Sequence, residues 1–260
     1  MGSPGRRPIS RTRSEPLSEG PHRRKLYGRR KGPSLSAHQA KLLETLLPRL
    51  ALTPVPGRDP RDYFRDEAHP GFSAGGVWLE IGFGAGEHLL WQAENHPQIG
   101  IIGVEPYVSG VAKLLSKLGS LAPTGGKGRG EGKIANIRLY GEDARDVIAA
   151  LPDSSLDRVF LLFPDPWPKT RHHKRRFVQT EMLDQLARLM KPEAEFRFGT
   201  DDKSYLVWAL ERLVAHPAFA WAATGPADWR VRPPDWPQTR YEAKALKAGR
   251  VCTFLRFVRR

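Results

Sequence analysis

The segment Glu80-Ile81-Gly82-Phe83-Gly84-Ala85-Gly86 sets three glycines at every second position behind an acid. Glycines in such a run let a backbone turn sharply and come close to a ligand where a Cβ would obstruct it. The spacing is Gly-x-Gly-x-Gly, not the Gly-x-Gly-x-x-Gly of dinucleotide sites. Further acids follow in order. Glu105 closes the next apolar run, where a carboxylate accepts hydrogen bonds from ribose hydroxyls, and Asp143 follows a third run within Gly141-Glu142-Asp143-Ala144. A row of acids at strand ends suits an adenosine cofactor without phosphates, above all a sulfonium cation. It would repel a pyrophosphate.

A second cluster begins after the fourth apolar run, with Phe163-Pro164-Asp165-Pro166-Trp167-Pro168-Lys169. Three prolines leave few backbone conformations, so Asp165 and Trp167 are held stiffly. A Trp face stacks on a base, and an Asp hydrogen-bonds the Watson–Crick edge of guanine. Next comes Lys169-Thr170-Arg171-His172-His173-Lys174-Arg175-Arg176, five cations without an acid, which reads electrostatically as a phosphate-binding stretch. The adjacent histidines lack co-ligands at ligand spacing, so no metal is expected. Cys252, the only cysteine, excludes an intramolecular disulfide and a thiolate cluster; its setting, Val251-Cys252-Thr253-Phe254, reads as a buried strand.

These groups need elements to position them. Apolar residues at helical spacing run from Ser36 to Leu52, and Pro54, Pro56 and Pro60 mark a linker. Short apolar runs at 77–81, 99–104, 137–140, 159–163, 195–198 and 251–258 predict strands. Helical patterns fall between them, the later ones near 144–150, 177–190 and 202–215. The alternation predicts an α/β, doubly wound, mostly parallel sheet, with the last run as an added antiparallel edge strand. Residues 119–133, rich in Gly and Lys/Arg, read as a surface loop.

The 260 residues carry 42 Lys+Arg and 28 Asp+Glu, for a net charge of +14. Residues 1–33 hold +8, 169–176 hold +5 and 230–260 hold +7, which leaves the remainder at −6. A mildly acidic body with three basic segments points to a polyanionic partner. Residues 1–33 are poor in apolar side chains and read as a disordered basic tail, leaving 34–260 as a single domain. No run approaches the ~18–20 apolar residues of a membrane helix. Residues 1–33 have no apolar signal core, so a cytoplasmic setting is expected.

Taken together, Glu-x-Gly-x-Gly-x-Gly at 80–86, Gly-Val-Glu at 103–105, Asp143, the 163–176 stretch, Gly-Thr-Asp at 199–201 and Thr-Arg-Tyr-Glu at 239–242 resemble the bacterial tRNA (guanine-N7)-methyltransferase family. The 163–176 stretch carries most of that specificity. The resemblance implies a Rossmann-like seven-stranded methyltransferase fold and transfer of a methyl group from S-adenosyl-L-methionine to N7 of the variable-loop guanosine of tRNA. Residue by residue, it implies cofactor contacts from Glu80, Gly82, Gly84, Gly86, Glu105, Asp143 and Asp165, with Asp165 also catalytic. It implies target-nucleotide contacts from Lys169, Asp201, Thr239, Arg240, Tyr241 and Glu242, and RNA contacts from Arg171, His172, His173, Lys174, Arg175 and Arg176. No membrane and no obligatory protein partner are implied. The long tail, the loop at 119–133 and Arg240-Tyr241 in place of the usual Lys-Phe depart from the family pattern. Two other readings stay open: an exocyclic-amine RNA methyltransferase, and an inactive RNA-binding protein of the same fold. Methyl transfer to pyrimidine C5 is disfavoured, because it needs a cysteine nucleophile and Cys252 reads as core.

Overall fold

The computed structural model describes residues 27–28, 32, 34–65, 69–121 and 135–260. Most of the basic segment 1–33, and loop residues 122–134, lie outside them. The sheet has seven strands: β1 (Gly76–Ile81), β2 (Ile99–Val104), β3 (Ile137–Tyr140), β4 (Leu156–Leu162), β5 (Met190–Thr200), β6 (Phe219–Trp221) and β7 (Thr253–Arg259), in the spatial order β3-β2-β1-β4-β5-β7-β6. The first five pair in parallel, and β7 pairs antiparallel with β5. The antiparallel final strand agrees with the sequence pattern. Beyond it lies β6, three residues too short to show a period, which pairs with β7 and forms the outermost strand.

Each central strand is buried on both sides, and alternate residues feed two cores. Val77, Leu79 and Ile81, with Val159 and Leu161, meet α5 (Ala144–Ala150), α6 (Thr180–Leu189) and α7 (Lys203–Ala215). Trp78, Phe160 and Leu162 face the other way, against α3 (Glu87–Asn95), α4 (Val108–Leu121) and α9 (Arg240–Lys247). Leu46 and Leu50 join this second core from α1 (Ala37–Thr45) and α2 (Leu47–Leu50). Ser36 caps α1 in a reciprocal pair with Gln39, as its position before the leucine pattern predicts. Helix α4 continues to Leu121, so residues 119–121 of the expected loop are helical. A four-residue α8 (Ala227–Arg230) completes the helices of the described residues.

The expected linker at Pro54–Pro60 runs mostly exposed and leads into a packed turn. Pro60–Phe64 forms a 3₁₀ turn capped by Asp59, and Phe64 is fully buried. The Phe64 ring lies against Gly100 of β2, where an added Cβ would come within 2.5 Å of it. Arg138 of β3 donates to the Tyr63 carbonyl at 2.7 Å, with its guanidinium 5.3 Å from the Phe64 ring centre. The proline-spaced stretch is a connector, as its composition predicts, and its last proline opens the turn that docks Tyr63 and Phe64 in the core. Replacing Phe64 with Ala is expected to cost about 3–5 kcal/mol in a denaturant titration. A cost under about 0.5 kcal/mol would show that the turn contributes nothing to the core.

Candidate active site

Strand register decides what meets at the carboxyl edge of the sheet. Ile81 of β1 stands opposite Val104 of β2 on one side and Leu161 of β4 on the other, so Gly82, Glu105 and Phe163 leave the sheet side by side. The chain order reverses between β1 and β4, the crevice where open α/β sheets bind ligands. Gly82, Gly84 and Gly86 all take positive φ, at 74°, 59° and 71°. At Gly84 this is obligatory twice over, since a Cβ would also come within 2.8 Å of the Tyr241 ring. The Gly84 N–H donates to Glu105 Oε2 at 2.7 Å, and the Tyr107 N–H to Oε1 at 2.9 Å. Burial pushes the Glu105 carboxyl above its usual range, while these two amides oppose the rise.

On the β4 side, Phe163 and Trp167 have positive φ of 50° and 47°, which L side chains rarely adopt. The proline-spaced segment is therefore held in place by its neighbours. The Phe163 N–H donates to the Gly199 carbonyl at 2.7 Å. Arg176 donates from Nε to the Pro166 carbonyl at 2.8 Å and from Nη2 to Ser204 Oγ at 2.7 Å. Asp165 is left exposed at the mouth of a cavity of about 460 Å³, which is also lined by Gly82, Glu105, Trp167 and Tyr241. Two carboxylates, two aromatic rings and an open glycine turn fit a ligand that combines a cation, hydroxyls and a planar ring. That donor set fits S-adenosylmethionine.

The other candidate residues divide. Glu80 is only 2% exposed; its carboxylate lies behind the glycine turn, 2.8 Å from His88 Nδ1. Asp143 caps α5, is gripped by Arg145, and lines a neighbouring cavity of about 640 Å³ rather than the one holding Glu105 and Asp165. Thr239 caps α9, and Glu242 is buried against Arg232 with Oε2 lacking a partner. Arg240 donates to Glu87 at 2.7 Å and Asp201 accepts from Arg250 at 2.6 Å. Of the four residues 239–242, Tyr241 alone lines the acid-bearing cavity. Lys169, Arg171 and Lys174 are exposed on or beside a 3₁₀ turn, Thr170–Arg175. His172 packs edge-on to Trp167 and His173 to Trp208.

One assignment is corrected. Arg176, expected to face RNA, is 2% exposed; its hydrogen bonds serve Pro166 and Ser204, and its guanidinium lies 5.0 Å from the Tyr205 ring centre. Among the described residues no group of His, Cys, Asp and Glu is placed to hold a metal. Cys252 is buried just before β7, and burial pushes its thiol up to about 11, an inert setting for a nucleophile. Among the cavity residues that went unforeseen are Tyr27 and Gly28, inside the segment read as a tail. The one signal was an aromatic residue beside a glycine in an otherwise basic run.

With this geometry the chain can be set beside known proteins. Residues 75–255 match a family described as "Putative methyltransferase". A tRNA (guanine-N(7)-)-methyltransferase of Rhodospirillum rubrum is 48% identical over 242 residues, covering 91% of this chain and 88% of that protein. One from Roseobacter denitrificans is 48% identical over 245 residues, covering 92% of this chain and 97% of that protein. The chain belongs to the tRNA (guanine-N7)-methyltransferase family. The crystal structure of the 16S rRNA methyltransferase KamB shares the fold, with a TM-score of 0.53 at 16% identity over 80% of this chain and 99% of that one. Both the seven-stranded order and the antiparallel β7 accord with a methyltransferase fold.

The inward turn of Arg176 separates it from its basic neighbours in a measurable way. Arg176→Ala removes a buried guanidinium together with its hydrogen bonds to Pro166 and Ser204, at about 1–3 kcal/mol. Melting should then drop by roughly 2–4 °C for each kcal/mol lost in a domain of this size. Lys174→Ala, on the exposed face, should stay within about 0.5 kcal/mol of the parent. Equal melting temperatures for the two variants would restore Arg176 to the outward-facing set.

Proposed function

We propose that this chain transfers a methyl group from S-adenosylmethionine to N7 of a guanosine in the variable loop of tRNA. Family membership supports the reaction class. The observation that carries the residue assignment is the meeting of Glu105 and Asp165 in one cavity with Trp167 and Tyr241, beside the exposed cations Lys169, Arg171 and Lys174. The partner is tRNA and the setting the cytoplasm; no helix of the described residues is long and apolar enough to cross a membrane.

Guanine N7 carries a lone pair and no proton at neutral pH, so no general base is required. Bound in the cavity, S-adenosylmethionine supplies a methyl group already activated by its sulfonium leaving group. The residues of this chain are then left with alignment and electrostatics. Glu105, fixed by the Gly84 and Tyr107 amides, offers its remaining lone pairs to hydroxyls of the donor. Asp165 stands at the mouth, where its carboxylate grips the base edge and faces the positive charge that develops on the imidazole ring. Tyr241, seated on Gly84, and Trp167 supply ring faces that exclude water from the alignment.

The deciding experiment is methylation of an unmodified tRNA followed by borohydride–aniline treatment, which breaks the strand only at N7-methylguanosine. Scission at a single variable-loop guanosine is expected. Methyl incorporation without scission would favour the exocyclic-amine reading, and absence of donor binding in calorimetry would favour an inactive RNA-binding protein. At the residue level, Asp165→Asn is expected to slow single-turnover transfer by about 10²-fold; a full rate would remove Asp165 from catalysis. The raised Glu105 carboxyl also sets a sign for pH. Acidification protonates it sooner than an exposed carboxylate, so donor affinity should weaken on acidification before exposed carboxylates titrate. In Glu105→Gln that dependence should flatten, and an unchanged profile would assign the titration to another group.

A further inference from the structure

We infer that Tyr27 is a substrate-positioning residue whose ring, together with Trp167 and Arg175, forms the wall on which the target base stacks. The inference rests on the reading of the chain as a tRNA methyltransferase and assigns it a residue that composition places in a tail. Three sets of contacts bring this stretch to the site. The Tyr27 ring stands edge-on to Trp167 with centroids 6.3 Å apart. The Arg175 guanidinium lies in the corner they form, 4.5 Å from the Tyr27 centroid and 5.0 Å from that of Trp167. Its Nε is buried without a hydrogen-bond partner, so ring faces replace polar contacts there.

The next residue brings the chain to the reactive carboxylate. Gly28 has φ of +116°, and a Cβ built on it would lie 3.4 Å from Asp165 Oδ2. A side-chain-bearing residue would be strained there and would lean on that carboxylate. Farther along, Gly32 lies close to the start of α4, where a Cβ would come within 2.3 Å of Ser109 Oγ and 2.4 Å of Tyr107 Oη. Gly28 therefore touches the β4 side of the cavity, and Gly32 packs against Ser109 and Tyr107 beyond β2. Both fit only because they are glycines.

Position within the cavity decides what Tyr27 would touch. Glu105 and the glycine turn lie at the tips of β1 and β2. Tyr27 lies with Asp165, Trp167 and Arg175, toward the exposed cations that would meet an RNA backbone. A purine entering from that side meets an aromatic corner with a guanidinium set in it, a surface on which a base stacks irrespective of hydrogen-bond readout. Tyr27 also borders the second cavity, so its ring partitions the two spaces.

The test uses the full-length chain, an unmodified tRNA transcript and the variants Tyr27→Ala, Tyr27→Leu and Tyr27→Phe. Tyr27→Ala should lower kcat/KM for tRNA by about tenfold to a hundredfold, carried by KM. Donor affinity should stay within about twofold, and the melting temperature should be unchanged. Tyr27→Phe should recover the loss and Tyr27→Leu should not. Parental kcat/KM in Tyr27→Ala, recovery by Leu equal to that by Phe, or a loss of donor affinity matching the loss of activity would each overturn the inference. The parent protein separates the two levels: absence of N7-methylguanosine with the parent strikes the proposed function, whereas an active parent matched by Tyr27→Ala strikes only the role of Tyr27.

Discussion

The carboxylate of Glu105 is the tie on which the site depends. It lies at the tip of β2, yet both oxygens are taken by amides of other segments, Gly84 in the turn after β1 and Tyr107 at the start of α4. Burying a carboxylate is costly unless its lone pairs are met, and these bonds offset much of that cost. They fix the glycine turn against β2 in a conformation that three positive φ values would otherwise leave loose. Lys117 of α4 then closes the back of the turn by donating to the Ala85 carbonyl at 2.8 Å. With the turn fixed, Gly84 becomes the seat for Tyr241, so the C-terminal helix is positioned through the same carboxylate.

The opposite wall is built on a different principle. Phe163 and Trp167 hold strained backbone angles, at roughly 1–3 kcal/mol each. Prolines restrict the alternatives without making these angles comfortable. The stabilising contribution comes from β5 through Gly199 and from Arg176, whose guanidinium spans from Pro166 to Ser204 between the rings of Tyr205 and Trp208. One wall is thus set by a buried anion that collects amides, the other by a buried cation that collects carbonyls and ring faces. Asp165 stands exposed between them because both of its flanks are held from behind.

Much of this was legible in the sequence. Strand and helix alternation follows from apolar periodicity, and the glycine spacing announces a turn that only positive φ can make. The register that brings Gly82, Glu105 and Phe163 together is fixed only in the structure, because parallel pairing alone leaves it open. What was not legible is the direction of long polar side chains. Arg175 and Arg176 are adjacent and identical in type; one forms a corner with Tyr27 and Trp167 beside the cavity, the other is buried behind the segment. The 3₁₀ turn sends neighbouring side chains to different faces, and charge composition is blind to that. Thr239 and Glu242 read as ligand contacts, yet the helix they begin uses them as a cap and a buried anchor. Tyr27 was missed for the opposite reason: a segment with too little apolar content to fold alone can still dock a single ring on a wall that the folded domain supplies.

The charge separation gains meaning at the level of distance. Screening limits a charge to about 8–10 Å at physiological salt. Lys169, Arg171 and Lys174, all exposed, therefore act on a polyanion as it approaches and say little about what enters the cavity. Farther in, Glu105 acts at contact range, where desolvation strengthens it, and with Asp165 at the mouth favours a ligand that carries positive charge or donates hydrogen bonds. A phosphate drawn in by the outer cations is repelled at the inner acids. The backbone of a bound RNA is thereby kept at the rim, and an uncharged base is the part of the strand that the interior accepts. The two signs of charge are not in conflict. They sort one ligand into the part that docks and the part that reacts.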